Sequence, residues 1–222
     1  MKKASLVVAF CMLLLPIVGL ADTIDFSNQG ILTGSLVVNP TASGVNPDSI
    51  TGTNLGINYV EGQPTNSHSG VAYAVTNGVL NFSGSFVGFN SVTDTYTFDL
   101  TSLTIKGGVP AAGVANGTTL MTYTGGGSLD LQLSIGPTGE WEVQVGGDDT
   151  KNVKLTTFFG EPSTGWQFGG YVIFDPDTCA KTDKCGARGT PGIFHLTPEG
   201  SADIPNFVTE PTTISLLTLG LL

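Results

Sequence analysis

The sequence predicts an all-β protein: a single antiparallel β-sandwich of jelly-roll type, with a β-barrel as the second choice. Three observations carry this. Apolar and polar residues alternate over many short runs. Glycine is abundant at 31 residues while charged residues make up only 12% of the chain. No stretch between the two termini shows a helical period. Short alternating runs separated by Gly-rich turns are the mark of sandwiches and barrels. The ~180 residues between the terminal segments suffice for one domain with a sizeable core. That domain is expected over 22–200, followed by a linker at 201–207 and a tail at 208–222.

The chain opens with Lys2 and Lys3 ahead of an almost unbroken apolar run at 6–18. Gly19 and Ala21 then place small residues where a signal peptidase reads. The run is shorter than the ~20 residues of a bilayer span. Residues 1–21 therefore read as a signal peptide, cut between Ala21 and Asp22. Cys11 lies inside the apolar run behind bulky Phe10, which argues against lipid attachment. Cleavage removes two of the eight basic residues and none of the eighteen acidic ones, leaving a net charge of −12. So acidic a chain repels nucleic acid and anionic lipid.

Strands are expected near 31–38, 49–60, 84–91, 93–100, 118–124, 153–160, 166–174 and 192–197. Two hairpins stand out. In residues 128–135 the apolar set is Leu129, Leu131, Leu133 and Ile135; Gly136 to Gly139 turn the chain; Trp141, Val143 and Val145 return on the same face. The second is expected around Asn77-Gly78, with Val71, Tyr73 and Val75 leading in and Leu80 and Phe82 leading out, because Asn-Gly accepts the positive φ of a tight turn. Tyr96, Phe98 and Leu100 should point inward. Gly107-Gly108 and 125–127 read as turns. The segment 175–191 reads as a long loop.

Candidate chemistry is sparse. Glu140 and Glu142 share a strand face, and paired carboxylates hydrolyse glycosides; with Asp130, Gln132 and Ser134 beside them, a solvated face accounts for them better. His68 reads as an exposed loop residue and His195 as a strand residue on the wet face. No Gly-x-Ser-x-Gly elbow is present. Asp148, Asp149, Asp175 and Asp177 offer oxygens for a structural calcium ion, although the EF-hand spacing is absent and turn chemistry explains Asp equally well. Trp166, Phe168 and Tyr171 could stack on sugar rings but fit a core better. No cofactor is expected. Cys179 and Cys185 are the two cysteines left after cleavage, and an even count in an exported chain reads as one disulfide closing a short loop; a zinc site is poorly served, with five residues between them and no nearby histidine.

Residues 212–222 are apolar and end in Leu-Gly-Leu-Leu, behind Thr209, Glu210 and Pro211. This resembles the PEP-CTERM sorting signal of Gram-negative bacteria, in which a Pro-Glu-Pro motif precedes a transmembrane helix and a basic cluster. Glu210 and Pro211 match the motif; Thr209 stands where the first proline is usual, the apolar segment is half a span, and no basic cluster follows. The resemblance covers about the last fifteen residues. It implies that Glu210 and Pro211 are processing-site residues read by an exosortase, a membrane-embedded protease, and that the tail associates transiently with the membrane. It also implies an exported chain that is a substrate and not an enzyme, from a cell that makes exopolysaccharide and biofilm; the reading is then a non-enzymatic surface or matrix protein with a β-domain that binds exopolysaccharide or other biofilm matrix. The alternative is a secreted β-sandwich hydrolase acting on polysaccharide.

Overall fold

The computed structural model describes residues 23–28, 33–40, 47–63, 67–93, 95–125, 131–135, 141–174, 203–204 and 206–208. The strands are β1 (Thr23–Ser27), β2 (Ser35–Pro40), β3 (Pro47–Gln63), β4 (Ala72–Asn90), β5 (Thr95–Val109), β6 (Val114–Gly125), β7 (Leu131–Ile135), β8 (Trp141–Lys151), β9 (Trp166–Phe174), β10 (Asp203–Ile204) and β11 (Asn206–Val208). A 3-10 turn, Pro110–Ala112, joins β5 to β6, and one helix, α1 (Val153–Phe159), lies between β8 and β9. The fold is all-β, as expected.

All eleven strands belong to one sheet. β3, β4 and β5 pair in succession. β6 and β7 share the far edge of β5, each taking one part of it, and both pair with β8. β8 pairs with β9, β9 with β10 and β11, and those two with β1. β1 then pairs with the last residues of β3. The pairings thus run around a closed ring, the connectivity of the barrel; they do not divide the strands into two sheets. Closure pairs both sides of the ring strands and so limits the unpaired edges that an open sheet must protect; β2, which pairs with β3 alone among the described residues, lies outside the ring.

The strands from β3 to β5 are long, and they bend. Asn77 and Gly78 do not form the expected hairpin turn; they lie inside β4. Asn77 does adopt a positive φ of 49°, but at a register shift between Thr76 and Val79. The same chemistry that suits a tight turn here makes a bulge that bends a continuous strand. A Cβ at Gly78 would lie 2.1 Å from the Ile57 carbonyl oxygen, and one at Gly107 would lie 3.0 Å from Gly78 Cα. The strands meet at this corner too closely for side chains. Gly107-Gly108 is accordingly strand, not turn.

Two further expectations change. Residues 153–160 are not a strand: they form α1, where the Asn152 side chain accepts a hydrogen bond from Lys154 N–H at 3.0 Å and Gly160 ends the helix at φ 84°. Leu155, Thr156 and Phe159 are its buried face. The segment expected as a linker, 201–207, supplies β10 and most of β11, and Val208 ends β11. The expected strands 84–91 and 93–100 are the later half of β4 and the start of β5, joined by a turn in which the Asn90 side chain accepts from Val92 N–H at 2.9 Å. Strand 166–174 lies where expected.

The inside of the ring is filled by the alternate residues of every long strand, among them Ile50, Leu80, Phe98, Leu103, Ile105, Leu131, Leu133 and Val143. In β7 and β8, Leu133 pairs with Val143 and Ser134 with Glu142, the register expected from the alternation. Tyr96, Phe98 and Leu100 are buried as expected. Val75, Leu80 and Phe82 are also buried, but Val71 is 48% exposed because it precedes β4.

Candidate functional site

The outward residues of β2 to β6 and β8 form the most continuous polar surface. The pairings align them in rows. One row runs Asn39, Ser49, Ser85, Asp99. A second runs Val37, Thr51, Ser83, Ser102. A third runs Asn81, Thr104, Thr122, Thr150. Asp99 is the one charged residue in the three rows. Neighbouring strands lie about 4.8 Å apart and alternate residues about 6.6 Å apart along a strand, so hydroxyls recur on a regular grid. The sequence dictates this locally, since β-branched Thr suits a pleated strand and alternation with Leu, Ile and Phe turns each Ser or Thr outward.

The hydroxyls bond to one another. Ser83 Oγ lies 2.8 Å from Thr101 Oγ1 and 2.7 Å from Ser102 Oγ. Thr101 Oγ1 also donates to the Ser83 carbonyl at 3.0 Å. Asn39 Nδ2 donates to Ser49 Oγ at 2.9 Å, and Asn54 N–H donates to Asn81 Oδ1 at 2.9 Å. Each hydroxyl both donates and accepts. Such a face can meet the hydroxyls of a neutral polymer in either sense.

The acidic candidates fall elsewhere. Glu142 accepts from Gln144 Nε2 at 2.6 Å on the outer face of β8. Glu140 lies outside the described residues, so the two carboxylates are not placed together. Asp148 and Asp149 are in β8, not in a turn, and successive strand residues point to opposite faces. Asp148 accepts from Gln167 Nε2 at 3.0 Å on the outside. Asp149 points inward and binds Lys151 Nζ at 2.7 Å, with both side chains fully buried. The two therefore cannot share a calcium ion. No group of three or more metal-binding side chains occurs among the described residues.

The Asp149–Lys151 pair is the feature that sequence reasoning missed. Lys151 Nζ also lies 4.1 Å from the centre of the Trp166 ring, a cation–π contact. Burial lowers the Lys151 ammonium to about 8, against the pull of Asp149 and Asp25. Burial likewise raises the Asp149 carboxyl, against Lys151. Asp149 Oδ1 accepts no hydrogen bond among the described residues. The signal was present: 143, 145, 147, 149 and 151 keep one parity, so an unbroken β8 turns Asp149 and Lys151 inward. Trp166 and Phe168 are core residues, 1% and 3% exposed.

His68 is half-buried and not the exposed loop residue expected. Its ring stacks on Phe158 at 3.8 Å and 10°, its edge meets Tyr73 and Phe159, and Nδ1 lies 2.7 Å from the Phe158 carbonyl oxygen. It fastens the 67–71 loop to α1. Its nearest groups are aromatic rings and a backbone carbonyl.

The Ala21–Asp22 cleavage point, Cys179, Cys185, Asp175, Asp177, His195, Glu210 and Pro211 lie outside the described residues, as does the Tyr171 side chain. No protein-family model matches this chain, and no curated protein or solved structure matches it.

Proposed function

We propose that the protein is an exported, non-enzymatic cell-surface or extracellular-matrix protein of a Gram-negative bacterium, holding neutral exopolysaccharide or other biofilm matrix on the outer face of β2 to β5. The observation that carries this reading is the outward rows of Ser, Thr and Asn, among which the Ser83, Thr101 and Ser102 hydroxyls bond together. A hydroxyl-rich surface of low charge suits a sugar polymer, whereas the acidic remainder of the chain repels polyanions. Of the residues considered for catalysis, Glu142 bonds Gln144 and His68 packs against α1, which fits the non-enzymatic reading. In this reading the signal peptide is removed between Ala21 and Asp22, and Cys179 and Cys185 are bridged. An exosortase-type protease reads Glu210 and Pro211.

The test is a glycan array probed with the mature protein, beside a polysaccharide-hydrolase screen. Binding to neutral glycans is expected, with loss of signal in Ser83→Arg/Ser102→Arg, where charge and bulk interrupt the grid. Turnover of any glycan would overturn the non-enzymatic reading. The sorting element is tested separately. Deleting 209–222 leaves every described strand intact, and in a host carrying an exosortase it should shift the protein from the envelope to the medium; Glu210→Ala should do the same.

A further inference from the structure

We infer that the α1 end of the ring is the face that meets a lipid bilayer; this rests on the reading of 209–222 as a membrane-seeking tail. The strand register supplies the geometry. β1 starts and β11 ends at the same end of the ring, since Thr23 pairs with Phe207 and Val208 pairs with Trp166. Trp166 opens β9 directly after the connection that contains α1. Lys151, which ends β8, and Gln63, which ends β3 opposite Thr23, lie at this end too. Both terminal segments therefore leave the fold beside α1. The β4–β5 tip lies at the other end.

Only residues 209–213 separate Val208 from Ile214, the first residue of the apolar stretch proper. At about 3.5 Å per step, the six steps from Val208 to Ile214 reach about 21 Å. The opposite tip is separated from the α1 end by β4, 19 residues long, or about 60 Å measured along the strand. A tail seated in a bilayer therefore holds the α1 end against the headgroups and cannot bring the tip there.

Exposed apolar side chains occur at both ends, Val71 and Val153 here and Val87, Phe89 and Val92 at the opposite tip, so the tether and not the surface selects this end. Val153, at the start of α1, is 63% exposed. Beside it, Ala111, Ala112, Thr157 and Phe158 line a cavity of about 300 Å³. Lys154 lines it too, and its Nζ donates to the Gly113 carbonyl at 3.3 Å. The net charge of −12 after cleavage disfavours anionic lipid; the bilayer is one of zwitterionic headgroups.

Hydrogen exchange of the mature full chain, with and without phosphatidylethanolamine/phosphatidylcholine vesicles, tests this. Vesicles should protect 67–72, 109–116 and 152–160 and leave 86–93 unchanged. The protection should vanish in a control lacking 209–222. Val153→Glu should weaken vesicle binding about tenfold while Val92→Glu leaves it unchanged. Protection at 86–93 instead would overturn the inference. So would tail-dependent protection of α1 without vesicles, which would mean that the tail folds back on the α1 cavity. Vesicle binding with no protection at either end would sink the orientation and leave the tail reading standing. A full chain that does not bind vesicles at all would remove both.

Discussion

Along β8, Val143 and Val145 face the interior beside Leu131 and Leu133. Further along the same strand, Asp149 and Lys151 take the same inward positions. The first half buries what its alternation promises. The second half buries a salt bridge in a site walled by Trp166. Inward direction is thus set by strand parity, while the tolerance for charge is set by neighbours: a cation needs the Asp149 carboxylate at 2.7 Å and the Trp166 face at 4.1 Å to offset its lost hydration. A buried pair is weak grounds for net stability, so the two halves should respond differently to substitution.

The largest effect is expected at Asp149. Asp149→Ala strands the Lys151 charge in the interior and should cost about 3–5 kcal/mol. Asp149→Leu/Lys151→Met, which removes both charges, should come within about 1 kcal/mol of the parent or exceed it. Urea unfolding measures both; a double variant as damaged as the single one would mean that the pair itself stabilises the fold. In the apolar half, Leu133→Ala should cost about 2–5 kcal/mol through the cavity it leaves, with no rescue from any change at Lys151.

A pH series sharpens the contrast. Lys151 titrates near 8 in the folded chain against 10.5 when unfolded. Between those values the unfolded chain holds more protons, so stability contributed by this group rises with pH across that window. The raised Asp149 carboxyl acts in the opposite sense: its contribution falls as pH climbs from 3.8 through its folded value. In Lys151→Met the alkaline rise should disappear, whereas Leu133→Ala should keep it. An unchanged slope in Lys151→Met would assign the rise to another group. The smallest effect belongs to the outer face of the apolar half: Glu142→Gln should change stability by under about 0.5 kcal/mol, and a larger loss would mean that the strand faces are exchanged.

The Asn77-Gly78 corner carries the same lesson as β8. Asn-Gly announces positive φ, and Asn77 has it. Whether positive φ reverses a chain or bends it depends on what lies alongside, and here β3 and β5 flank β4 on both sides of the bulge. The helix α1 was legible in principle from Asn152 at its start and Gly160 at its end, with Leu155 and Phe159 one turn apart. Its Thr-Thr-Phe-Phe run has high strand propensity, and the helix is held instead by the packing of Phe159 and the stacking of Phe158 on His68.

By itself the sequence determined the all-β class, the inward faces of 96–100, 131–133 and 143–145, and the extent of β9, because alternation with period two is a local property that survives any strand order. It also determined the low charge of the outer rows, which is composition read through the same parity. Ring closure through β1, β10 and β11 was decided only in three dimensions, since it joins residues far apart in the chain, and although Ile24 and Phe26 alternate in β1, β10 and β11 are too short to show a period. The alignment of Ser83, Ser102 and Thr51 into one grid depends on register between strands. The place of Asp149 and Lys151 depends on Trp166 arriving from β9, and no local pattern in β8 encodes that arrival.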